Sequence, residues 1–155
     1  MACARPTNCS KLSNAKRETP DTMRALSQHS LLEFYGCDPS RLRRVGEVKK
    51  LLCDSVRTGG GTIVKSVFHA FSPYGVSGVV VITESHVTIH TWPEHAYAAV
   101  DIFSCSEKLN HEAIRNALKR ALSAHRISTR FFYRGHLLQN PADIKKAPRH
   151  FLRRP

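Results

Sequence analysis

The chain has 155 residues, 41% of them hydrophobic, with 24 Lys/Arg against 12 Asp/Glu and a formal net charge of +12. That length suits one domain with a real core, and no run approaches the roughly 18 apolar residues a membrane helix needs. The charge is uneven: residues 1–24 hold five Lys/Arg and two Asp/Glu, residues 126–155 hold eight and one, and the stretch between holds eleven and nine. Basicity therefore belongs to the ends, which argues against a nucleic-acid-binding core.

Residues 1–24 mix Pro, Ser, Thr, Asn and charge without an apolar period, and read as a disordered leader. They hold no apolar signal core, so the expected location is the cytoplasm. The five cysteines (Cys3, Cys9, Cys37, Cys53 and Cys105) are an odd number with no C-x-x-C pair. That argues against a disulfide framework or a zinc site and fits a reducing compartment.

The folded region is expected to span residues 25–135. A first strand falls at His29–Tyr35. Asp38-Pro39 then reads as a helix start, because Asp caps free N–H groups and Pro sits where its own is not needed. Leu42, Val45, Val48, Leu52 and Val56 follow at helical spacing, and Gly59-Gly60-Gly61 stops the helix. This Gly run lacks the Lys-Ser/Thr of a phosphate loop and follows a helix rather than a strand, so it reads as a terminator. Thr62–Phe71 is a second strand, Ser72–Gly75 a turn, and Val76–Thr83 a third strand, the most apolar of all.

His86–Thr91 alternates, with Val87 and Ile89 on one face and His86, Thr88 and His90 on the other. Trp92-Pro93-Glu94 breaks it, and Tyr97–Phe103 is a further strand. Residues 108–125 form the clearest helix, with Leu109, Ala113, Ala117, Leu118, Ala121 and Leu122 on one face. Ile127–Tyr133 is a last strand. Residues 136–155, with three prolines and clustered Arg/Lys, read as a basic tail.

The order β-α-β-β-β-β-α-β, with short links between the middle strands, predicts an α+β fold. It is a two-layer sandwich, an antiparallel sheet with both helices on one face. The other face is solvated or covered by a second subunit. The near-continuous apolar run Val79–Ile82 favours cover, so a homodimer through the sheets is the expectation.

The densest chemistry lies in Val79–Cys105. Three arrangements can be built there. A zinc site would use His86, His90 and His95, but the H-x-x-x-H spacing presents both imidazoles together only on a helix, and Val, Thr and Ile favour a strand. Cys105 with His90 would make a nucleophile pair, without a local motif to support it. The third uses Glu84-Ser85-His86 at the abrupt end of an apolar strand. A Ser85 hydroxyl attacking the carbonyl before it would give an ester, and loss of the Ser85 Cα proton would eliminate it. The products are a chain ending at Glu84 and one beginning with a pyruvoyl group. Such a carbonyl forms a Schiff base with an amine and serves as an electron sink for decarboxylation, without pyridoxal phosphate.

The segments GVSGVVVITESHVTIHTWPE (Gly75–Glu94) and YAAVDIFSC (Tyr97–Cys105) resemble the self-processing S-adenosylmethionine decarboxylase family in its short prokaryotic form. The resemblance extends more weakly to Glu33–Cys37 and Arg134-Gly135, covering roughly residues 28–135. It implies cleavage between Glu84 and Ser85, with Ser85 becoming the pyruvoyl group. His90 would take the Cα proton during processing, and Ser77 would support that reaction. Cys105 would protonate the substrate carbon after carbon dioxide leaves. Phe71 would stack on adenine and Glu94 would hold the ribose hydroxyls. No metal is implied.

The activity implied is decarboxylation of S-adenosylmethionine, giving the aminopropyl donor for spermidine synthesis. Relatives of this architecture that decarboxylate arginine or ornithine are the alternative, since most of the motif serves self-cleavage. A non-catalytic module binding nucleic acid through its basic ends is a remote third, which leaves Ser85, His90 and Cys105 without a purpose. One feature sits uneasily with a single site: Ser85 and His90 are five residues apart, so a regular strand sends them to opposite faces.

Overall fold

The computed structural model of the chain describes residues 25–135. The expected leader and basic tail lie outside them. The described elements are β1 (Ser27–Tyr35), a 3₁₀ turn (Pro39–Leu42), α1 (Val45–Thr58), β2 (Ile63–Ala70), β3 (Val76–Ile82) and β4 (Ser85–Trp92). A second 3₁₀ turn (Pro93–His95), β5 (Tyr97–Ser104), α2 (His111–Ala121) and β6 (Arg126–Arg134) follow. The strands form one sheet in the order β2-β3-β4-β5-β1-β6. Every neighbouring pair is antiparallel. The expected two-layer α+β sandwich is the fold observed.

Alternation along the strands sorts the sheet into two faces. Leu32, Phe34, Val80, Ile82, Val87, Ile89, Val100 and Ile102 point to the helix side and are buried. Val48, Leu52 and Val56 of α1 and Ile114 and Leu118 of α2 close over them. Each such side chain removed from water contributes about 1.5–3 kcal/mol. The other face has no helix on it. Val80 and Ile82 enter the core while Val81 is 38% exposed on the open side, as is Trp92 at 39% towards the other end of the hairpin. The apolar run thus serves both faces, as a strand buried on one side and awaiting cover on the other would.

Two helix boundaries differ from expectation. Asp38 and Pro39 start a 3₁₀ turn, not the main helix: the Asp38 carboxylate accepts the Ser40 N–H at 2.9 Å. The Leu42 carbonyl is taken by the Thr91 hydroxyl at 2.9 Å, Arg44 is extended, and α1 begins afresh at Val45. Helix α2 covers 111–121 rather than 108–125, because Asn110 caps it by accepting the Ala113 N–H at 2.9 Å. Leu109 and Leu122 are nonetheless buried. The glycine run ends α1, where the Gly59 N–H bonds to the Ser55 and Val56 carbonyls.

Gly78 shows why β3 carries a residue without a side chain. The Phe68 ring of β2 lies over it, and a Cβ there would meet Phe68 Cδ1 at 2.1 Å. The strand is therefore packed from the core side by a neighbour's aromatic ring, which leaves Ser77 and Val79 to line the open side.

Candidate active site

The β3–β4 hairpin positions most of the candidate residues. Its loop is only Thr83-Glu84, with Ile82 paired to Ser85. The Thr83 N–H donates to the Thr62 carbonyl (3.0 Å) and the Thr62 N–H to Glu84 Oε2 (3.3 Å), which tie the turn to the start of β2. Partial burial pushes the Glu84 carboxyl up, but hydrogen bonds from the Thr83 side chain and from the Glu84 and Thr62 N–H groups outweigh it and hold the group below its usual value.

Ser85 has φ 149°, outside the regions that a residue with a Cβ normally adopts. Such a conformation stores backbone strain, and residues of this kind cluster at reactive positions. The Glu84 carbonyl accepts the Cys105 N–H at 2.9 Å. Cys105 follows directly on Ser104, which pairs with Ser85, and its thiol is exposed. Glu84, Ser85 and Cys105 are therefore gathered at one end of the sheet. An N–H already on the Glu84 carbonyl oxygen is where an oxyanion would be stabilised if that carbon were attacked.

Ser77 and His90 form a second group. They are cross-strand partners on the open face, and Ser77 Oγ lies 2.7 Å from His90 Nδ1 in a hydrogen bond. His69 is opposite Ser77 on β2, and the ring of Phe71, 52% exposed, stands edge-on to His69 at 4.8 Å. Glu94 sits in the 3₁₀ turn that follows β4 and is exposed. Thr91 braces this end from the core side: its hydroxyl accepts the Val76 N–H at 2.8 Å and donates to the Leu42 carbonyl.

The two groups do not meet within one chain. Five residues of strand separate Ser85 from His90, about 17 Å at the usual rise. Ser85 also pairs with the buried Ser104, whereas His90 pairs with Ala99 on the open side. The same geometry disposes of two other arrangements. His86 and His90 do share the open face, but four residues of strand set them about 13 Å apart, too far for one metal ion. Cys105 lies opposite Glu84, at the other end of the sheet from His90.

The sequence reading named His86 in the third arrangement but gave it no role, yet its Nδ1 is 3.2 Å from Ser85 Oγ. Its ring stacks on Phe103 at 5.6 Å and 6°, and His29 stands edge-on to the same Phe103 at 5.3 Å. The visible signal was adjacency: His86 follows Ser85 directly, but strand alternation placed the two on opposite faces.

Comparison with known proteins points to one family. Residues 28–135 match the family model described as S-adenosylmethionine decarboxylase. A relative from Acidithiobacillus ferrooxidans named S-adenosylmethionine decarboxylase proenzyme is 44% identical over 131 residues, covering 84% of this chain and 95% of the relative. One of the same name from Thermotoga petrophila is 49% identical over 105 residues, covering 68% of this chain and 81% of the relative. The crystal structure of the adenosylmethionine decarboxylase from Aquifex aeolicus superposes with a TM-score of 0.69 at 32% identity, covering 76% of this chain and 97% of that one.

Proposed function

This chain belongs to the S-adenosylmethionine decarboxylase family and decarboxylates S-adenosylmethionine; we propose that it does so with a pyruvoyl group made from its own Ser85. The product is the aminopropyl donor that the family supplies to spermidine synthesis. The working unit is residues 25–135, cleaved between Glu84 and Ser85, in the cytoplasm. Among the described residues no helix is long and apolar enough to cross a membrane.

The observation that carries the reading is the Glu84–Ser85 turn. A strained serine follows a carbonyl that already accepts the Cys105 N–H, so attack by Ser85 Oγ would deliver the negative charge to a waiting donor. The surroundings suit a pyruvoyl group at this place. The turn is at a sheet end, not in the core, and the Cys105 thiol is exposed beside it. Such a group supplies a carbonyl that captures the substrate amine and accepts the electrons released with carbon dioxide. Cys105 donates the proton that replaces the lost carboxylate. Phe71 offers a face to adenine and Glu94 a carboxylate to the ribose hydroxyls. His90, held by Ser77, takes the Ser85 Cα proton.

That last role requires a second copy of the chain, since His90 is about 17 Å along the strand from its own Ser85. A two-fold pairing of the open faces runs one hairpin against the other and brings the Ser77–His90 end of one protomer to the Ser85 end of its partner. It also covers Val67, Val81 and Trp92, which are exposed on that face.

Intact mass under denaturing conditions, with carbon dioxide release from S-adenosylmethionine, tests the function. Two chains meeting at Glu84/Ser85 and turnover are expected; a chain that stays whole on long incubation overturns the pyruvoyl reading. Mixed dimers test the pairing. Ser85→Ala and His90→Ala chains made together should yield cleavage of the His90→Ala chain, because its Ser85 faces an intact His90. No cleavage in the mixture would place both groups in one protomer.

A further inference from the structure

We propose that His86 is the base that takes the Ser85 hydroxyl proton when Ser85 attacks the Glu84 carbonyl. This rests on the reading that the chain cleaves itself at that bond, and it assigns a step distinct from the Cα-proton transfer given above to His90. Within its own chain His90 lies at the far end of β4, hydrogen-bonded to Ser77 at 2.7 Å. His86 Nδ1 is 3.2 Å from Ser85 Oγ, within reach of the proton to be moved.

The backbone explains how neighbours come to face each other. On a regular strand Ser85 and His86 would point to opposite faces. The φ of 149° at Ser85 departs from that pattern, and its hydroxyl reaches the imidazole across the strand end. The imidazole is fixed in turn. It lies parallel to Phe103, its cross-strand partner on β5, and the same Phe103 is packed by His29 of β1. A ring held flat on another keeps Nδ1 aimed at Ser85 instead of turning freely.

The step balances within the chain. The Ser85 Oγ–Glu84 carbon bond forms as the hydroxyl proton passes to Nδ1, and the Cys105 N–H holds the carbonyl oxygen. The Glu84 carbon–Ser85 nitrogen bond then breaks. The proton leaves Nδ1 for the departing nitrogen, so His86 ends as it began and an ester links the two segments. The later elimination needs a separate base at the Ser85 Cα, the role given above to His90.

The test follows self-cleavage of freshly synthesised chains by denaturing mass, with hydroxylamine to cut any ester. In His86→Phe, which keeps an aromatic ring on Phe103, and in His86→Asn, cleavage should slow by about 100-fold or more. The chain that accumulates should resist hydroxylamine, because the Glu84–Ser85 link is still an amide. Added imidazole should speed cleavage of His86→Ala and leave Ser85→Ala whole; a purely structural ring gives no such rescue. Cleavage of both His86→Phe and His86→Asn at the wild-type rate, accumulation of a hydroxylamine-sensitive ester, or failure of imidazole to rescue His86→Ala would each overturn the assignment. A wild-type chain that never cleaves would overturn the processing reading itself, and so is told apart from a failure of His86 alone.

Discussion

The two ends of the β3–β4 hairpin are built on different terms. At the turn end, backbone does much of the chemistry: a strained Ser85, a Glu84 carbonyl, and the Cys105 N–H that bonds it. At the open end the backbone is regular, and the reactive groups are side chains in register, Ser77 against His90. In the reading proposed above, the turn end breaks a peptide bond once and the other end holds the base that completes the break. A short chain can carry both because an antiparallel hairpin separates them by its own length, and a two-fold pairing can reunite them.

That contrast is sharpened first by Ser85→Ala, which should abolish both self-cleavage and decarboxylation while the melting temperature holds. Loss of decarboxylation with cleavage intact would remove Ser85 from the first reaction. Next come Cys105→Ala and His90→Ala, which should separate the two reactions. Cys105→Ala keeps its N–H on Glu84, so it should cleave normally and lose about 10²- to 10⁴-fold in carbon dioxide release. His90→Ala should instead slow cleavage by a similar factor, with a hydroxylamine-sensitive ester accumulating. Equal effects of the two substitutions on cleavage would collapse the distinction between the ends.

A smaller effect is expected from the brace of the open end. Thr91→Val leaves the buried Val76 N–H and Leu42 carbonyl without their hydroxyl partner, and should destabilise the fold by about 1–3 kcal/mol in denaturant unfolding. The turn end should keep its cleavage competence below the unfolding midpoint.

The smallest effect concerns pH. His111 caps the contact of α2 with β1: its Nδ1 bonds the Ser30 hydroxyl at 2.8 Å, and among the described residues its buried Nε2 has no partner. Burial, with a lesser contribution from His29, holds its pKa below the ordinary 6.5. The unfolded chain therefore binds this proton more readily than the folded one. The stability is present above pH 6.5 and is lost as pH falls through 6.5 towards the folded value. His111→Phe should flatten that acid-side decline in melting temperature, while Phe131, against which the ring packs edge-on, keeps its contact. An unchanged decline would assign it to other groups, of which His29, also lowered chiefly by burial, is the first to examine.

Much of this was legible before any coordinates. All six strands were marked, His86–Thr91 by its alternation and Val76–Thr83 by its apolar run, and the apolar spacing of Val48, Leu52 and Val56 marked the face of α1. Boundaries were less legible where a distant group intervened. Nothing local in Leu42 says that its carbonyl will be claimed by Thr91, forty-nine residues away, so the first helix was read as one piece. In the site, sequence grouped Ser77, Ser85, His90 and Cys105 because a short motif holds them. It could not say that Cys105 returns to Glu84 through the β4–β5 pairing while His90 is carried off along the strand.

The sequence by itself determined the chemistry available: a Glu-Ser turn closing an apolar strand, histidines and a cysteine within a few residues, and the family pattern. These are local or covalent facts, set by neighbouring side chains and backbone preference. Only the tertiary structure decided which groups touch. Cross-strand register, the φ of Ser85 and the Phe103 stack arise from how consecutive strands pair in space, which the order of residues does not state. For that reason His86 faces Ser85 and His90 faces Ser77, at opposite ends of one hairpin.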